Sequence, residues 1–462
     1  MKSKLFIPLL IMSLIIIPDA KVKAQFRLPE YETFKLDNGL TVYLMEKHDV
    51  PLLSVSVVIN AGAVYDKEIS GLAAFTAEAI RFGTNSYAKE QIDSLFNFYG
   101  SALNTFAVND YSGLTSTFMS KDAVTLLPVI KEILTDPVFP DTEIQKRKSR
   151  WIAQLDLAKE SPRSVIAGYF NKLIFYDGVY ANPVDGTKAG IQNISSGTVK
   201  DFFGKFYGAN NAVLALVGDF ETEEMKKIIS GLFGDWKKTD VPSENVEVDL
   251  HGFSQSNVYL IDKNDSFETT FMIGGVGIKR SNPDYTPLQV VNTILGGRFT
   301  SWLNDELRVN AGLTYGARSR FQAFRNSGTF YILSFTGTGT TFEAIDLALK
   351  TYNRLFENGI DDITLQSAKN YIKGQFPPDY ESGADLAAFL TSMFIYGIDE
   401  SFINNFEKQV DELTVEKANQ LVRKYFPKEN LQFVLIGKSS EIKEQASAYG
   451  NLIEKEISED GF

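Results

Sequence analysis

The sequence contains no cysteine and only two histidines, His48 and His251, among its 462 residues. Without cysteine the chain forms no disulfide, has no thiol nucleophile and holds no cysteine-ligated iron–sulfur cluster. Most zinc sites use at least one imidazole or thiolate, so the shortage of both leaves few ways to build one. His48 lies in the polar segment EKHDVP and His251 lies just past a polar, proline-containing stretch, so both are interpreted as surface imidazoles.

Positive charge is also in short supply, with 46 Lys and Arg against 58 Asp and Glu and a net charge of −12. This balance argues against nucleic acid and anionic membranes as main partners. The 44% hydrophobic and 23% charged residues are typical of a globular protein. Past the N-terminal segment, no apolar run approaches the ~18 residues of a membrane span, so none is expected in the mature chain.

The N-terminal segment has the pattern of a secretory signal peptide. Lys2 and Lys4 precede a mostly apolar run at 5–17, and Val22 and Ala24 are small residues at a suitable cleavage position. We therefore expect residues 1–24 to be removed and the protein to be secreted, into the periplasm. The alternative is an uncleaved anchor.

Two patterns recur at nearly constant offsets along the chain. KFY at 205–207 and KYF at 424–426 are each followed, at the same spacing, by an apolar segment ending in glycine. VYL occurs at 42–44 and again at 258–260, each time opening a stretch typical of β-strands. Two matches of this kind predict two homologous halves. Strand-like meanders mixed with long helical segments predict an α+β fold, in which each half is a mainly antiparallel sheet packed with helices.

The polar, proline-containing stretch that precedes the second VYL marks the boundary between the halves. The predicted organisation is a signal peptide at 1–24, an N-terminal domain at 25–235, a linker at 236–250, a C-terminal domain at 251–450 and a polar tail at 451–462.

Three motifs carry a resemblance to a known family. GLAAFTAEAIRFGT at 71–84, NPVDGT at 182–187 and NNAVLALVGDF at 210–220 together resemble the pitrilysin/insulinase family of zinc peptidases, in its processing-peptidase-like branch. The resemblance extends from Tyr31 to Gly437. It implies a clamshell arrangement and a metal site in the N-terminal half.

The resemblance also shows what this chain lacks. Active members carry an inverted zinc motif, H-x-x-E-H, on the first helix, and a glutamate ligand farther along the chain. The first histidine, glutamate and second histidine positions are here Ala74, Ala77 and Glu78, and the distant ligand position is Gln154. A methyl group neither binds zinc nor accepts a proton, so no metal is expected in this chain. The simpler interpretation of Glu78 is a carboxylate paired with a nearby arginine or with solvent.

The second half, in contrast to the first, carries two residues that match the family pattern. Active members place an arginine and a tyrosine with six residues between them, and Arg308 and Tyr315 have that spacing here. The resemblance implies that the tyrosine donates a hydrogen bond to the scissile carbonyl and that the arginine orients substrate. The segment is predicted to form a helix that is capped by Thr300 or Ser301 and ends at Gly312. The alternative is an ion pair for Arg308 and a packed strand position for Tyr315.

A further resemblance concerns peptide binding. GSALNTFAVNDYSGLTSTF at 100–118 is similar to the family's strand that binds an extended peptide along its edge, around Asn104. The alternative is an ordinary strand of the sheet.

These patterns favour a non-catalytic subunit of a secreted zinc peptidase. Arg308 and Tyr315 would complete a site whose zinc and H-x-x-E-H motif belong to a paralogous partner, and peptides would be the substrates. One alternative is a peptide-binding or scaffolding protein with no catalytic role. The other is an independent enzyme with a different site, which the missing cysteine and the absence of a G-x-S-x-G motif disfavour.

Overall fold

The computed structural model describes residues 26–241 and 252–459, which form two halves of similar design. The elements of the N-terminal half are β1 Glu32–Lys35, β2 Thr41–Glu46, β3 Leu52–Ile59, α1 Leu72–Ala79, α2 Lys89–Phe98, β4 Ala102–Ala107, β5 Ser112–Met119, α3 Ala123–Thr135, α4 Asp141–Ala158, α5 Pro162–Phe175, α6 Lys188–Gln192, α7 Ser196–Phe206, β6 Ala212–Gly218 and α8 Thr222–Phe233. The elements of the C-terminal half are β7 Asn257–Asp262, β8 Glu268–Val276, α9 Tyr285–Leu295, α10 Trp302–Asn304, β9 Ala317–Ala323, β10 Gly328–Gly337, α11 Thr341–Glu357, α12 Asp362–Gln375, α13 Gly383–Tyr396, α14 Ser401–Asn404, α15 Phe406–Asp411, α16 Val415–Tyr425, β11 Gln432–Gly437, α17 Ser439–Ala446 and β12 Asn451–Glu456.

Each half is built on one six-stranded sheet. The strand orders are β1-β2-β6-β3-β5-β4 and β12-β7-β11-β8-β10-β9. In both sheets the final strand of the repeat, β6 or β11, lies parallel to the first inner strand and antiparallel to the next. The prediction of two homologous halves with mainly antiparallel sheets is therefore confirmed, and β4 and β9 occupy equivalent edges.

The ends of the predicted domains differ from the structure in two places. Trp236, assigned to the linker, is buried and donates its indole N–H to the carbonyl of Tyr207 at 3.1 Å, so the N-terminal half extends beyond residue 235. Residues 451–456, assigned to a polar tail, form edge strand β12 beside β7. The segment has only two apolar residues, Leu452 and Ile453, and no apolar–polar alternation. The partner strand β7 lies almost 200 residues away, so the local pattern did not reveal β12. The remainder of the predicted linker, at 242–250, lies outside the described residues.

The two halves exchange helices across their interface. Helix α13 packs on β3 and β6 of the N-terminal sheet, where Ile395 contacts Val58 and Val213. Helix α5 packs on β8 and β11 of the C-terminal sheet. Hydrophobic residues of both halves join one core across this contact. Since the halves touch directly here, any chamber of the expected clamshell lies outside this interface.

None of the helices within 26–241 and 252–459 has the length and apolar character needed to cross a bilayer. The predicted signal peptide at 1–24 lies outside the described residues.

Candidate functional site

Helix α1 carries the degenerate motif and starts from an unusual backbone turn. Gly71 precedes the helix with φ of 93°, a left-handed conformation that glycine adopts without strain. The carboxylate of Asp66 accepts hydrogen bonds from the backbone N–H groups of Gly71 and Ala73, both at 2.7 Å. Burial raises the pKa of Asp66 to about 8, although these two N–H groups act in the opposite direction. Asp66 therefore satisfies orphan donors at the start of the helix.

The second motif, at 182–187, contacts the turn that precedes helix α1. Gly186 also has a positive φ, 77°, and a Cβ there would lie 2.4 Å from the carbonyl oxygen of Ser70. The carbonyl of Asp185 accepts a hydrogen bond from the indole of Trp151 at 2.9 Å. The close approach of two glycine-containing turns explains why both motifs occur together, and it fixes α1 against α4.

The positions that would hold zinc are tied together by an arginine. The Nε of Arg147 donates to Oε1 of Glu78 at 2.5 Å, and Nη1 of the same guanidinium donates to Oε1 of Gln154 at 2.9 Å. The guanidinium also lies 4.3 Å from the ring centroid of Trp151. Arg147, Trp151 and Gln154 share one face of α4 because they are spaced by four and three residues. A fixed side-chain cation thus bridges two positions that the sequence resemblance predicts to contact the metal in an active member.

These residues line a cavity of about 380 Å³. Ala74 lies on its wall, whereas Ala77 is 1% exposed and packs in the core beneath it. Asp185 also lines the cavity, and burial raises the pKa of this carboxyl while Arg147 lowers it. Within the described part of the chain, no group of three or more His, Cys, Asp or Glu side chains has a metal-binding arrangement.

Arg147 was not identified from the sequence. The expectation that Glu78 pairs with a nearby arginine is confirmed, but the identity of that arginine was not predicted. A usable signal was present, because Arg147 lies seven residues before Gln154 and two helical turns place them on the same face.

Strand β4 forms an exposed edge beside this cavity. The carbonyl of Leu103 accepts a hydrogen bond from Arg81 at 2.8 Å, so Leu103 directs its backbone groups away from β5. Because this direction alternates along an antiparallel strand, Thr105 and Ala107 also direct theirs outward. Both line the cavity. Asn104 has an exposed side chain, but its backbone faces β5, so the outward backbone groups of this edge belong to Leu103, Thr105 and Ala107.

Arg308 and Tyr315 line a second cavity, of about 330 Å³. Tyr315 is 82% exposed and lies in the loop before β9 rather than within a strand. The Arg308 guanidinium stacks 4.7 Å from the ring centroid of Phe299, and no carboxylate of the described residues lies within 4.0 Å of it. Among the described residues Arg308 therefore forms no ion pair, and Tyr315 does not pack in a strand. The alternative interpretation of these two residues is not supported.

The backbone that carries Arg308 differs from the expected α-helix. The segment begins after Ser301, as predicted, but the Ser301 hydroxyl makes no capping hydrogen bond. Asp305–Asn310 is a π-helix, which ends two residues before Gly312. The N–H of Ala311 reaches the carbonyl of Glu306, one residue farther than in an α-helix. Widened turns of this kind occur frequently at functional sites.

The two cavities share no lining residue, and residues near the turn between α4 and α5 reach both of them. Ala158, at the end of α4, lines the first cavity. Arg163, near the start of α5, pairs at 3.4 Å with Glu268, which lines the second cavity. The structure therefore places Arg308 and Tyr315 in a different cavity from the degenerate motif.

The histidines lie away from both cavities as far as they are described. His48 is exposed in the loop between β2 and β3, with Nδ1 2.7 Å from the carboxylate of Asp219. Hydrogen bonds to Asp219 and Glu46 raise its pKa above 6.5. His251 lies outside the described residues.

Models of one peptidase family match most of the chain. Residues 41–188 match the model described as insulinase, peptidase family M16, and residues 193–372 match the model described as the peptidase M16 inactive domain. The first match contains α1 and α4, and the second contains Arg308 and Tyr315.

Curated relatives are distant in sequence but similar in length. A Bacillus subtilis protein described as an uncharacterized zinc protease, YmxG, is 20% identical over 395 residues, which cover 85% of this chain and 95% of that protein. A Helicobacter pylori protein described as a non-peptidase homolog is 24% identical over 404 residues, 86% of this chain and 92% of that one. Cytochrome b-c1 complex subunit 1 of Bos taurus is 25% identical over 274 residues, 58% of this chain and 56% of that one.

Solved structures share the whole architecture. The structure of a peptidase M16 inactive domain from Pseudomonas fluorescens superposes with a TM-score of 0.83 at 25% identity, covering 88% of this chain and 98% of that one. A protease from Helicobacter pylori superposes with a TM-score of 0.80 at 18% identity, covering 89% and 100%. The second likeness concerns the fold alone.

Proposed function

Since this chain belongs to the M16, or insulinase, family of peptidases, we propose that it is the non-catalytic subunit of a secreted zinc peptidase. In this proposal a paralogous chain with an intact H-x-x-E-H motif supplies the metal that activates water. This chain supplies Arg308, Tyr315 and part of the surface that binds peptide.

The residues of the N-terminal half support the proposal that this chain has no peptidase activity of its own. The positions of all three ligands and of the general base are substituted, by Ala74, Ala77, Glu78 and Gln154. Arg147 adds a positive charge between two of them. A relative that spans nearly the same length is described as a non-peptidase homolog, which agrees with this assignment.

The observation that carries the proposal is the contrast between the two halves. The residues of the lost metal site are bound to one another, whereas Tyr315 is 82% exposed and Arg308 has no acidic partner among the described residues. A phenol hydroxyl in this position can donate a hydrogen bond to a scissile carbonyl as its oxygen becomes negative, and Arg308 can hold the same peptide by its carbonyl groups. The exposed edge at Thr105 and Ala107 offers an additional place for an extended peptide.

Mixing the two subunits tests the proposal. This chain and a paralogue with an intact H-x-x-E-H motif would be purified separately and assayed for cleavage of unfolded peptides, alone and together. We expect activity from the mixture, and we expect Tyr315→Phe in this chain to lower its kcat by about a hundredfold. Arg308→Ala should raise KM and lower kcat.

Two control variants test whether any loss of activity comes from nonspecific effects of substitution. Tyr176→Phe removes a hydroxyl from an exposed tyrosine outside both cavities, and Arg423→Ala removes an exposed arginine on α16; both should leave the activity unchanged. If Tyr315→Phe and Arg308→Ala behave like these two controls, the chain does not complete the partner's site.

A second candidate function is structural. The similarity to a mitochondrial protein named as a subunit of the cytochrome b-c1 complex suggests that this fold also serves in assemblies. Absence of a neighbouring gene that encodes H-x-x-E-H, together with copurification of this chain in a larger complex, would favour that role.

A further inference from the structure

The C-terminal half contains a cavity in the place that corresponds to the lost metal site. In the N-terminal half, α1, β4 and α4 line the degenerate site; in the C-terminal half, the equivalent elements α9, β9 and α12 line a cavity of about 560 Å³. Tyr371 on α12 lies 217 residues after Gln154 on α4, close to the offset of the sequence repeat. The duplication has therefore produced a second cavity of the same origin.

This second cavity is lined by arginines. Its wall contains Arg298, Arg308, Arg318 and Arg320, and it contains no aspartate or glutamate. Among the described residues, no carboxylate lies within 4.0 Å of any of the four guanidinium groups. In a chain with a net charge of −12, four unneutralised arginines around one cavity create a strong local preference for anions.

Two buried donors in the same wall are also without partners. The Nε of Arg298 and the Nε2 of Gln289 are inaccessible to solvent and make no hydrogen bond within the described part of the chain. Arg298 is held in place by a hydrogen bond from Nη1 to Ser367 at 3.0 Å. Buried donors are nearly always paired in folded proteins, so these two call for an acceptor, which is either water or a bound ligand.

We propose that this arginine-lined cavity binds carboxylate groups of peptides. A guanidinium presents parallel N–H donors that match the two oxygens of a carboxylate. Arg318 and Arg320 lie two residues apart on edge strand β9, so their Cα atoms are separated by roughly 6.6 Å along the strand. Alternate side chains of an extended peptide have the same separation, which favours a peptide with acidic residues over a single small anion.

The location links this site to the proposed function, on which this part of the inference rests. Arg308 lines both the arginine-lined cavity and the cavity that contains Tyr315. A peptide whose scissile bond lies at Tyr315 would therefore place neighbouring residues beside the arginines. The inferred substrates carry an acidic side chain, or their C-terminal carboxylate, close to the bond that is cleaved.

Binding to the lone chain tests the inference without any need for catalysis. Three short labelled peptides would be compared by fluorescence anisotropy: one with alternating glutamates and an amidated C terminus, its glutamine counterpart, and the glutamine peptide with a free C-terminal carboxylate. We expect at least one carboxylate-bearing peptide to bind about tenfold or more tightly than the amidated glutamine peptide. Which of the two binds identifies the source of the carboxylate.

Variants of exposed residues locate the site. Arg318→Gln and Arg320→Gln should each weaken binding of the carboxylate-bearing peptide by about tenfold and leave the amidated glutamine peptide unaffected. Arg423→Gln, at an exposed position outside the cavity lining, should change neither. Four outcomes would overturn the inference. The three peptides could bind equally or show no saturable binding, or the three variants could behave alike. Inorganic phosphate could also bind as tightly as the carboxylate-bearing peptide. Failure of the mixed-subunit assay with this binding intact would instead overturn only the role in catalysis.

Discussion

The guanidinium of Arg147 lies between Glu78 and Gln154 and donates a hydrogen bond to each, at 2.5 and 2.9 Å. The sequence resemblance predicts that the residues at these two positions bind one zinc ion in an active member of the family. Here a covalently attached cation joins them. The helices that form the metal site in an active member thus remain connected although the ligands are gone.

This bridge should contribute to stability. Arg147→Gln removes a charge-assisted hydrogen bond to Glu78 and the stacking on Trp151. Because the Arg147 and Glu78 side chains are only 18% and 34% exposed, we expect the free energy of unfolding to fall by about 1–2 kcal/mol. Urea denaturation at neutral pH measures this change. Lys146→Gln breaks the exposed Lys146–Glu143 pair on the same helix and should cost about 0.5 kcal/mol or less. Equal losses for both variants would contradict a bridging role.

The same cation should oppose restoration of a metal site. A variant with Ala74→His, Glu78→His and Gln154→Glu regains the three ligand types. Adding Arg147→Ala should raise its zinc affinity about tenfold or more, because a neighbouring positive charge disfavours a bound dication. Isothermal titration calorimetry with zinc measures the difference. Adding Lys146→Ala instead removes a solvent-facing cation, 62% exposed, and should leave the affinity nearly unchanged.

The edge of β4 should bind peptide through the backbone of Thr105. Thr105→Pro removes the outward N–H donor but is compatible with an edge strand, since no strand within 26–241 and 252–459 pairs with that side. We expect a labelled unfolded peptide to bind about threefold to tenfold more weakly, the effect of one lost hydrogen bond. Thr105→Val, which keeps the N–H, should bind normally. If both variants bind as the parent does, β4 is an ordinary strand of the sheet.

His48 should titrate above its ordinary range. The Asp219 and Glu46 hydrogen bonds stabilise its charged form and raise its pKa above 6.5. A raised pKa means that the interaction is fully present below pH 6.5 and is lost as the pH rises through the folded-state pKa. With two histidines in the chain, the His48→Gln variant assigns the imidazole NMR signals directly. Asp219→Asn should move the His48 midpoint downward; an unchanged midpoint would disprove the pairing.

Much of the fold followed from the sequence because the repeated segments are strands and helix ends with strong local patterns. The repeats at 42–44 and 258–260 correspond to β2 and β7, and the segments after KFY and KYF correspond to β6 and β11. Strand β12 was missed because its pairing with β7 joins residues almost 200 positions apart. The π-helix at Arg308 was missed because an α-helix and a π-helix share nearly the same sequence preferences over so short a segment.

The sequence by itself determined that Ala74, Ala77, Glu78 and Gln154 occupy the positions that the family resemblance assigns to the metal site, and that six residues separate Arg308 from Tyr315, because residue identity at a fixed position is enough for both. Only the tertiary structure decided that Arg147 bridges the vacated positions, that the two candidate sites lie in separate cavities, and that four arginines surround a cavity beside β9. These features depend on contacts between side chains brought together by helix and sheet packing, which no local pattern encodes.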